Sequence, residues 1–192
     1  MANPLIYFCY GMPKAGSALA FNLTRAVLED AGITQDPLQA PEAIRPGVFN
    51  AVDVIRPDEL AALTDAVDIL DVNPIAIKTH SGLWGCVERA LSSGWTRGQA
   101  ICRDPRDIAM AMIAAAPTGD PWGRRNGVPL KTPKDALPAV KAHVEKFERW
   151  AGHEGILTLT YDVVRYDTEA AVTQIADQLG LTVDVEQCAR AG

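Results

Sequence analysis

The chain has 192 residues, of which 48% are hydrophobic and 22% are charged, and it carries a formal net charge of −6 at pH 7. This length suits one domain with one sizeable core, so we expect residues 1–192 to form a single domain. The negative charge gives no general attraction to nucleic acid or to an anionic membrane, so any anionic ligand must be held by locally placed donors.

Strand-like and helix-like patterns alternate along the chain, which predicts an α/β fold with helices on the faces of a central parallel sheet. Residues 5–10 form a short, continuously apolar run, the pattern of a strand that is buried on both faces. A turn containing glycine and proline follows at residues 11–16. Residues 17–31 then have the apolar spacing of a helix, and Gly32 stands just past its predicted end.

The middle of the chain continues this alternation after a proline-rich stretch, residues 35–54, which we expect to be mostly loop with one short strand. Apolar spacing and turn residues then predict a helix over 57–70, a strand over 74–80, a helix over 83–92, a strand over 99–103 and a helix over 105–116.

The last third opens with a polar loop rich in glycine and proline, residues 117–131, which is long enough to be a lid or a substrate-binding loop. Beyond it we predict a helix over 133–152, a strand over 155–161 and a helix over 168–179. The expected architecture is a three-layer α/β/α fold with a central parallel sheet, similar to that of P-loop nucleoside triphosphatases.

The cysteines do not favour a zinc site, because they are far apart in sequence and form no C-x-x-C pair. They are Cys9, Cys86, Cys102 and Cys188. Reduced cysteines of this kind fit the cytoplasm. The first residues lack the basic and apolar regions of a signal peptide, and no run approaches the ~20 apolar residues of a membrane helix. We therefore expect a cytoplasmic protein without a membrane span.

The turn G-M-P-K-A-G-S after the first strand has the composition of an anion-binding loop. Such a turn directs backbone N–H groups and the positive end of the helix dipole at one point. Lys14 would add a mobile positive charge and Ser17 a hydroxyl donor. The spacing is not that of a Walker A loop, in which a lysine directly follows the second glycine, because Ser17 follows Gly16 here. The alternative is that glycine and proline serve only the turn.

The pattern P-K-x-G-[ST] between a strand and a helix resembles the 5′-phosphosulfate loop of the sulfotransferase family, whose usual form is close to YPKSGTTW. Two positions depart from it, since Ala18 replaces a hydroxyl residue and Leu19 stands where many members have a tryptophan that stacks on adenine. The resemblance implies that this loop binds the donor PAPS (3′-phosphoadenosine 5′-phosphosulfate) without a metal, through Pro13, Lys14, Ala15, Gly16, Ser17, Ala18 and Leu19.

The segment I-C-R-D-P-R-D, residues 101–107, resembles the 3′-phosphate segment of the same family. The resemblance implies that Arg103 contacts the 3′-phosphate of the donor, for which a planar guanidinium is well suited. The family usually supplies a serine for the same phosphate, and the matching position is Ala111, so that contact is missing. The alternative for Arg103 is a surface ion pair with Asp104 or Asp107.

The segment I-K-T-H, residues 77–80, resembles the K-T-H strand end of the cytosolic branch of the family. The resemblance implies that His80 is the general base and that Lys78 contacts the transferring group. A histidine at the carboxyl end of a strand lies at the edge where α/β folds bind ligands, and its ordinary pKa of about 6.5 suits proton abstraction. The alternative is a hydrogen-bonded structural histidine.

Residues 156–180 are similar to the strand–YEDL–helix segment near the end of family members. There Tyr161 matches a tyrosine that lies near adenine, and the alternative is an ordinary aromatic residue at a strand end. Family members usually continue into a loop carrying R-K-G, which the sequence to Gly192 does not contain. Either another arginine substitutes for it, or the donor is held weakly, or the donor differs; the candidate arginines are Arg124, Arg125 and Arg190.

These segments together predict a sulfotransferase that moves a sulfuryl group from PAPS to a hydroxyl or an amine and releases PAP. In this hypothesis His80 removes the acceptor proton, Lys14 neutralises the leaving 5′-phosphate, and Lys78 stabilises the sulfuryl oxygens. The acceptor (a lipid, a sugar, a phenol or a peptide) and the oligomeric state stay open. We expect the acceptor pocket to be shaped by the 117–131 loop and by Phe21, Trp84 and Trp122. The alternative is that Phe21 and Trp84 pack in the core and that Trp122 lies on a surface loop.

Two other functions compete with this hypothesis. A P-loop kinase would need a Mg²⁺-binding acid at a strand end. Asp71 imitates such an acid, although the apolar spacing before it favours a helix. A non-catalytic nucleotide-binding protein could use the same scaffold, because a fold does not determine function. The departures at Leu19 and Ala111 and the missing R-K-G loop favour that second possibility.

Overall fold

The computed structural model of the chain describes residues 6–38, 50–52, 54–70 and 74–192. Within these residues five strands form one parallel sheet: β1 (Ile6–Gly11), β2 (Ala51–Val52), β3 (Ile75–Thr79), β4 (Thr96–Cys102) and β7 (Ile156–Thr160). Their spatial order is β2-β3-β1-β4-β7. A separate antiparallel hairpin is formed by β5 (Arg124–Arg125) and β6 (Val128–Pro129). The predicted parallel sheet is confirmed.

The helices that cover the sheet are described next in chain order. They are α1 (Ser17–Asp30), α2 (Pro57–Leu70), α3 (Gly85–Ser93), α4 (Pro105–Ala115), α5 (Pro133–Ala151), α6 (Tyr161–Tyr166), α7 (Thr168–Leu179) and α8 (Val185–Ala191).

The sheet is covered on both faces because alternate residues of its strands point to opposite sides. From β1, Phe8 and Tyr10 point to the face covered by α2, α3 and α5, where Tyr10 stacks on Trp150 with ring centroids 5.2 Å apart. Tyr7 and Cys9 point to the other face, which is covered by α1, α7 and α8. The predicted three-layer α/β/α arrangement is therefore confirmed.

Parallel pairing places the carboxyl ends of the central strands at one edge of the sheet. β1 pairs with β3 and β4, so that Tyr10 lies beside Thr79 and Gly11 beside Ile101. On the far side of β4, Cys102 lies beside Thr160 of β7. The segments that leave β1, β3, β4 and β7 consequently start close together, at the edge where parallel α/β sheets bind their ligands.

Most predicted elements agree with the structure to within a few residues, but two short helices were not predicted. α6 begins at Tyr161, so the predicted strand over 155–161 ends one residue earlier, and the Thr160 hydroxyl accepts the Val163 N–H at 3.4 Å as a helix cap. α8 follows α7 and packs against α1. The 117–131 loop contains two short 3-10 helices as well as the β5–β6 hairpin.

Parts of two predictions lie outside the described residues. The short strand expected within residues 35–54 is observed as β2, whereas residues 39–49 and 53 of that stretch are not described. The segment that precedes Asp71 is helical in α2, as predicted, while Asp71 itself is not described.

In the described part of the chain, no helix is both long enough and apolar enough to span a membrane. Across the same residues, no group of three or more His, Cys, Asp or Glu side chains is arranged to hold a metal ion. All four cysteines are free thiols.

Candidate functional site

The turn between β1 and α1 is tightly closed. A Cβ atom on Gly11 would lie 2.4 Å from the Cβ of Ser17, so a side chain at Gly11 would push the start of α1 away. Lys14 and Gly16 both have a positive φ, 64° and 81°. The cap residue of α1 is Gly16, which has no side chain to accept a hydrogen bond from the N–H groups of the first helical turn. Such N–H groups are the backbone donors that an anion uses at a helix N-terminus.

Arg103, which follows β4, reaches this turn from the neighbouring strand. Its Nη1 donates to the Lys14 carbonyl at 3.4 Å, and its Nη2 pairs with Asp107 at 3.4 Å. The ion pair that was the alternative for Arg103 therefore exists, but it does not satisfy the whole guanidinium. The Nε atom of Arg103 is buried and has no hydrogen-bond partner. Buried donors are rarely left without an acceptor in folded proteins, so an oxygen atom of a water molecule or of a ligand would suit this position.

Tyr161 completes this part of the site. The Arg103 guanidinium lies 4.1 Å from the centroid of the Tyr161 ring, which is the geometry of a cation–π contact. The ring also packs against Gly16, because a Cβ atom there would be 3.0 Å from the tyrosine Cδ2. Residues predicted from three separate segments of the sequence thus meet at one place.

His80 lies directly after β3 and is oriented by the backbone of β1. Its Nδ1 is 2.6 Å from the carbonyl oxygen of Gly11. Because a carbonyl can only accept, Nδ1 carries a proton, and in the neutral form of this ring Nε2 is the basic nitrogen. The following residue is held in place, since the Ser81 N–H donates to Thr79 at 3.0 Å and the Trp150 indole N–H donates to the Ser81 carbonyl at 3.0 Å.

Lys78 is half-buried, two residues before His80, and lies opposite Cys9 in the register of β3 and β1. Burial raises the pKa of the Cys9 thiol to about 12, while a hydrogen bond from Thr24 and the positive charge of Lys78 lower it. Alternation along β3 places Lys78 on the same face of the sheet as Ala76, which is the face that α1 covers.

The 117–131 loop contacts the site through Asp120. The Lys14 ammonium lies 2.5 Å from Asp120 Oδ2, and the Trp122 N–H donates to Asp120 Oδ1 at 2.9 Å. The hydrogen bond from Lys14 is the largest effect that lowers the pKa of the Asp120 carboxyl. Lys14 is therefore directed into the site, where it pairs with a residue that the sequence motifs did not identify.

Trp122 of the same loop lies between two histidines. Its ring centroid is 5.2 Å from that of His80 and 5.5 Å from that of His143, and both contacts are edge-to-face. His143 is 7% exposed, and its Nδ1 is buried without a hydrogen-bond partner. Burial lowers the pKa of His143 to about 4, and the charges of Lys146 and His80 act in the same direction.

His143 was not identified from the sequence, although a signal for it exists. It lies on the predicted helix over 133–152, three residues after Val140, and both side chains belong to the buried side of α5. A histidine on the apolar side of a helix is a candidate for a site. What brings His143 to the site is its contact with Trp122 of the 117–131 loop. That contact depends on the tertiary fold and leaves no local pattern in the sequence.

The remaining residues of the predicted phosphosulfate loop differ in exposure. Pro13, Ala15 and Ser17 are buried, so their side chains support the turn. Ala18 is exposed at the start of α1. Leu19 is half-buried and packs against the core on the α1 face.

The other predicted residues are dispersed. Phe21 is 3% exposed and packs in the core beneath α1, and Trp84 is 46% exposed at the start of α3, so their contribution to an acceptor pocket stays a prediction. Ala111 is half-buried on α4 and offers no hydroxyl. Of the candidate arginines, two are exposed on the β5–β6 hairpin and the third pairs with Glu186 on α8: Arg124, Arg125 and Arg190.

Comparison with solved structures addresses the fold. Mouse sulfotransferase SULT7A1 complexed with PAP matches with a TM-score of 0.56 and 18% identity, over 98% of this chain and 65% of that chain. Retinol dehydratase in complex with androsterone and inactive cofactor PAP matches with a TM-score of 0.55 and 18% identity, over 100% of this chain and 64% of that chain. The chain has the sulfotransferase fold.

A smaller structure with this fold, a sulfotransferase from Alicyclobacillus acidocaldarius, matches with a TM-score of 0.51 and 14% identity, over 96% of this chain and 85% of that chain. In contrast, the present chain spans just under two thirds of the length of the mouse protein and of retinol dehydratase. No family model matches the sequence, and no curated protein matches it either.

Within the sulfotransferase fold, the site combines two chemical features at the carboxyl edge of the sheet. One is a group of positive donors around the turn after β1, formed by Lys14, Arg103 and the start of α1. The other is His80, whose Nδ1 lies 2.6 Å from the Gly11 carbonyl oxygen at the same edge. Both features lie where β1 and β3 end, at the edge where parallel α/β sheets bind their ligands.

Proposed function

We propose that the chain is a sulfotransferase that moves a sulfuryl group from PAPS to a hydroxyl or an amine of an acceptor and releases PAP. The observation that carries the proposal is the convergence of Lys14, Arg103, Tyr161 and His80 at one edge of a sheet that has the sulfotransferase fold. We further propose that residues 1–192 act as one domain and, from the free thiols, that the protein works in the cytoplasm.

The donor side of the site fits a nucleotide with phosphates at both ends of the ribose. When bound, PAPS would supply the sulfuryl group and a nucleotide leaving group. Lys14 and the N–H groups at the start of α1 would hold the 5′ end, and the unpartnered Nε of Arg103 supports a second phosphate contact close by. The ring of Tyr161, which is half-buried beside Arg103, would lie near the adenine.

The acceptor side depends on His80. The Gly11 carbonyl fixes its Nδ1–H, so Nε2 would take the proton of the attacking hydroxyl or amine. The Gly11 carbonyl would also stabilise the resulting imidazolium through the same 2.6 Å hydrogen bond. We propose that Lys14 balances the charge on the departing 5′-phosphate and that Lys78 balances the charge on the sulfuryl oxygens.

Calorimetric titration with PAP, followed by a PAPS-dependent screen of acceptors, tests the proposal in two steps. Replacing His80 by alanine should lower turnover by about two to four decades and leave PAP affinity nearly unchanged. His153→Ala is the matched control, because His153 lies at the opposite edge of the sheet against Ser92. Near wild-type turnover of the His80→Ala variant would remove this histidine from the mechanism, and absence of PAP binding would refute the donor assignment.

A second candidate function is nucleotide binding without turnover. Ala111 supports it, since a half-buried methyl group on α4 stands where the resemblance expects a serine hydroxyl for the 3′-phosphate. PAP binding by the wild-type protein together with no transfer to any acceptor class would favour this candidate over the enzyme.

A further inference from the structure

The ion pair between Lys14 and Asp120 joins the turn after β1 to a loop residue 106 positions later. The ammonium and the carboxylate are 2.5 Å apart, and each side chain is only 26% exposed. Lys14 lowers the pKa of Asp120, so the carboxylate is charged at neutral pH. A negative charge of the chain itself therefore lies against the lysine of the proposed phosphosulfate loop.

Asp120 is presented by a closely packed segment. The second oxygen of its carboxylate accepts the Trp122 N–H at 2.9 Å, which caps the 3-10 helix Pro121–Gly123. At the end of that helix, a Cβ atom on Gly123 would lie 2.5 Å from the backbone of Ala116, so the segment rests directly on the end of α4. The carboxylate is consequently held in position from both of its oxygens.

We propose that Asp120 is an internal competitor for anionic ligands at the turn after β1, and that it thereby limits their affinity. The identity of the ligand as PAPS or PAP rests on the proposed function. For a phosphate to bind beside Lys14, Asp120 must release the ammonium or stay next to the incoming negative charge. The first event breaks an ion pair and the second adds repulsion, so both oppose binding.

The variant Asp120→Asn removes the negative charge of this side chain while the packing of the loop is kept. The asparagine keeps an Oδ1 acceptor for the Trp122 N–H but carries no negative charge. Calorimetric titrations of this variant with PAP and with inorganic pyrophosphate should show about two- to fivefold tighter binding than the wild type, the range expected when a partly exposed ion pair is removed.

A matched control is Glu29→Gln. Glu29 pairs with Arg25 at 2.8 Å near the far end of α1, so this variant makes the same change in net charge away from the turn. It should bind both anions as the wild type does. A second variant, Asp120→Ser, retains a hydroxyl oxygen for the cap, and thermal unfolding of each variant verifies that it is folded.

The outcomes separate this proposal from the assignment of the donor. Unchanged or weaker binding of both anions to the folded Asp120 variants would overturn it, as would an equal gain in Glu29→Gln. Tighter pyrophosphate binding without PAP binding in any protein would support the role of Asp120 and refute the PAPS assignment. No binding of either anion to any of the proteins would overturn both.

Discussion

Replacing His143 by phenylalanine should remove a specific part of the acid sensitivity of the fold. The ring keeps an aromatic contact with Trp122 but loses the ability to take a proton. In the folded protein, burial is the main cause that lowers the pKa of His143 from 6.5 to about 4. In the unfolded chain the imidazole has its ordinary pKa of about 6.5.

The sign and size of the effect follow from these two values. Between pH 6.5 and pH 4 the unfolded chain binds a proton at this position and the folded protein does not, so acidification favours unfolding. The neutral imidazole of His143 makes its full contribution to the free energy of unfolding above about pH 6.5, and this contribution is lost as the pH falls towards about 4. At 1.36 kcal/mol per pH unit the whole loss is roughly 3 kcal/mol, an order-of-magnitude value, and most of it is reached by about pH 4.5.

The assay is urea unfolding of the wild type and of His143→Phe at several pH values between 7 and 4.5. The free energy of unfolding should fall with acidification by about 2 kcal/mol more in the wild type than in the variant. His153→Ala serves as the control, because His153 is half-exposed and sits on the other side of the molecule. Equal pH dependence of the wild type and His143→Phe would refute the assignment of a neutral, buried imidazole.

Two further predictions concern the donor side. Gly16→Ala and Gly32→Ala both force alanine into a left-handed backbone, so each should lower the free energy of unfolding by about 1–2 kcal/mol. Only the new methyl group at position 16 would meet a side chain, the Tyr161 ring, so only Gly16→Ala should weaken PAP binding. Unchanged PAP affinity in folded Gly16→Ala would contradict the role of this ring. Arg103→Lys keeps the charge and loses the planar contact, so calorimetry should show PAP affinity reduced about tenfold, whereas the exposed control Arg106→Lys should bind normally.

The main elements of the fold were predictable because their signals are local. The apolar run of β1 indicated a strand buried on both faces, and Ile6–Gly11 is indeed fully buried. α6 and α8 gave no comparable signal, since six or seven residues span too few turns to show a period. α8 owes its position to tertiary packing, in which Cys188 is buried and its thiol contacts the Ala26 carbonyl at 3.6 Å.

The same distinction applies to the site. Lys14, His80 and Arg103 each follow the end of a strand within a recognisable motif, and parallel pairing brings strand ends together without further information. Asp120 and His143 belong to no motif, and their importance arises only when the 117–131 loop packs against the turn after β1 and against α5. Contacts over such separations depend on the whole fold, which a reading of local patterns does not provide.

The ion pairs of Lys14 and Arg103 matter for the proposed binding of an anion by an acidic protein. With a net charge of −6, the field of the whole chain opposes a multiply charged ligand, so binding must rely on positive groups concentrated at one point. Arg103 donates to the Lys14 carbonyl, which keeps two cationic residues close together, and each of them is matched by a carboxylate, Asp107 at 3.4 Å and Asp120 at 2.5 Å. Without these acids the two cations would repel each other in the ligand-free fold. The proposed anionic ligand would therefore either displace these carboxylates or bind beside them, and both events oppose its binding.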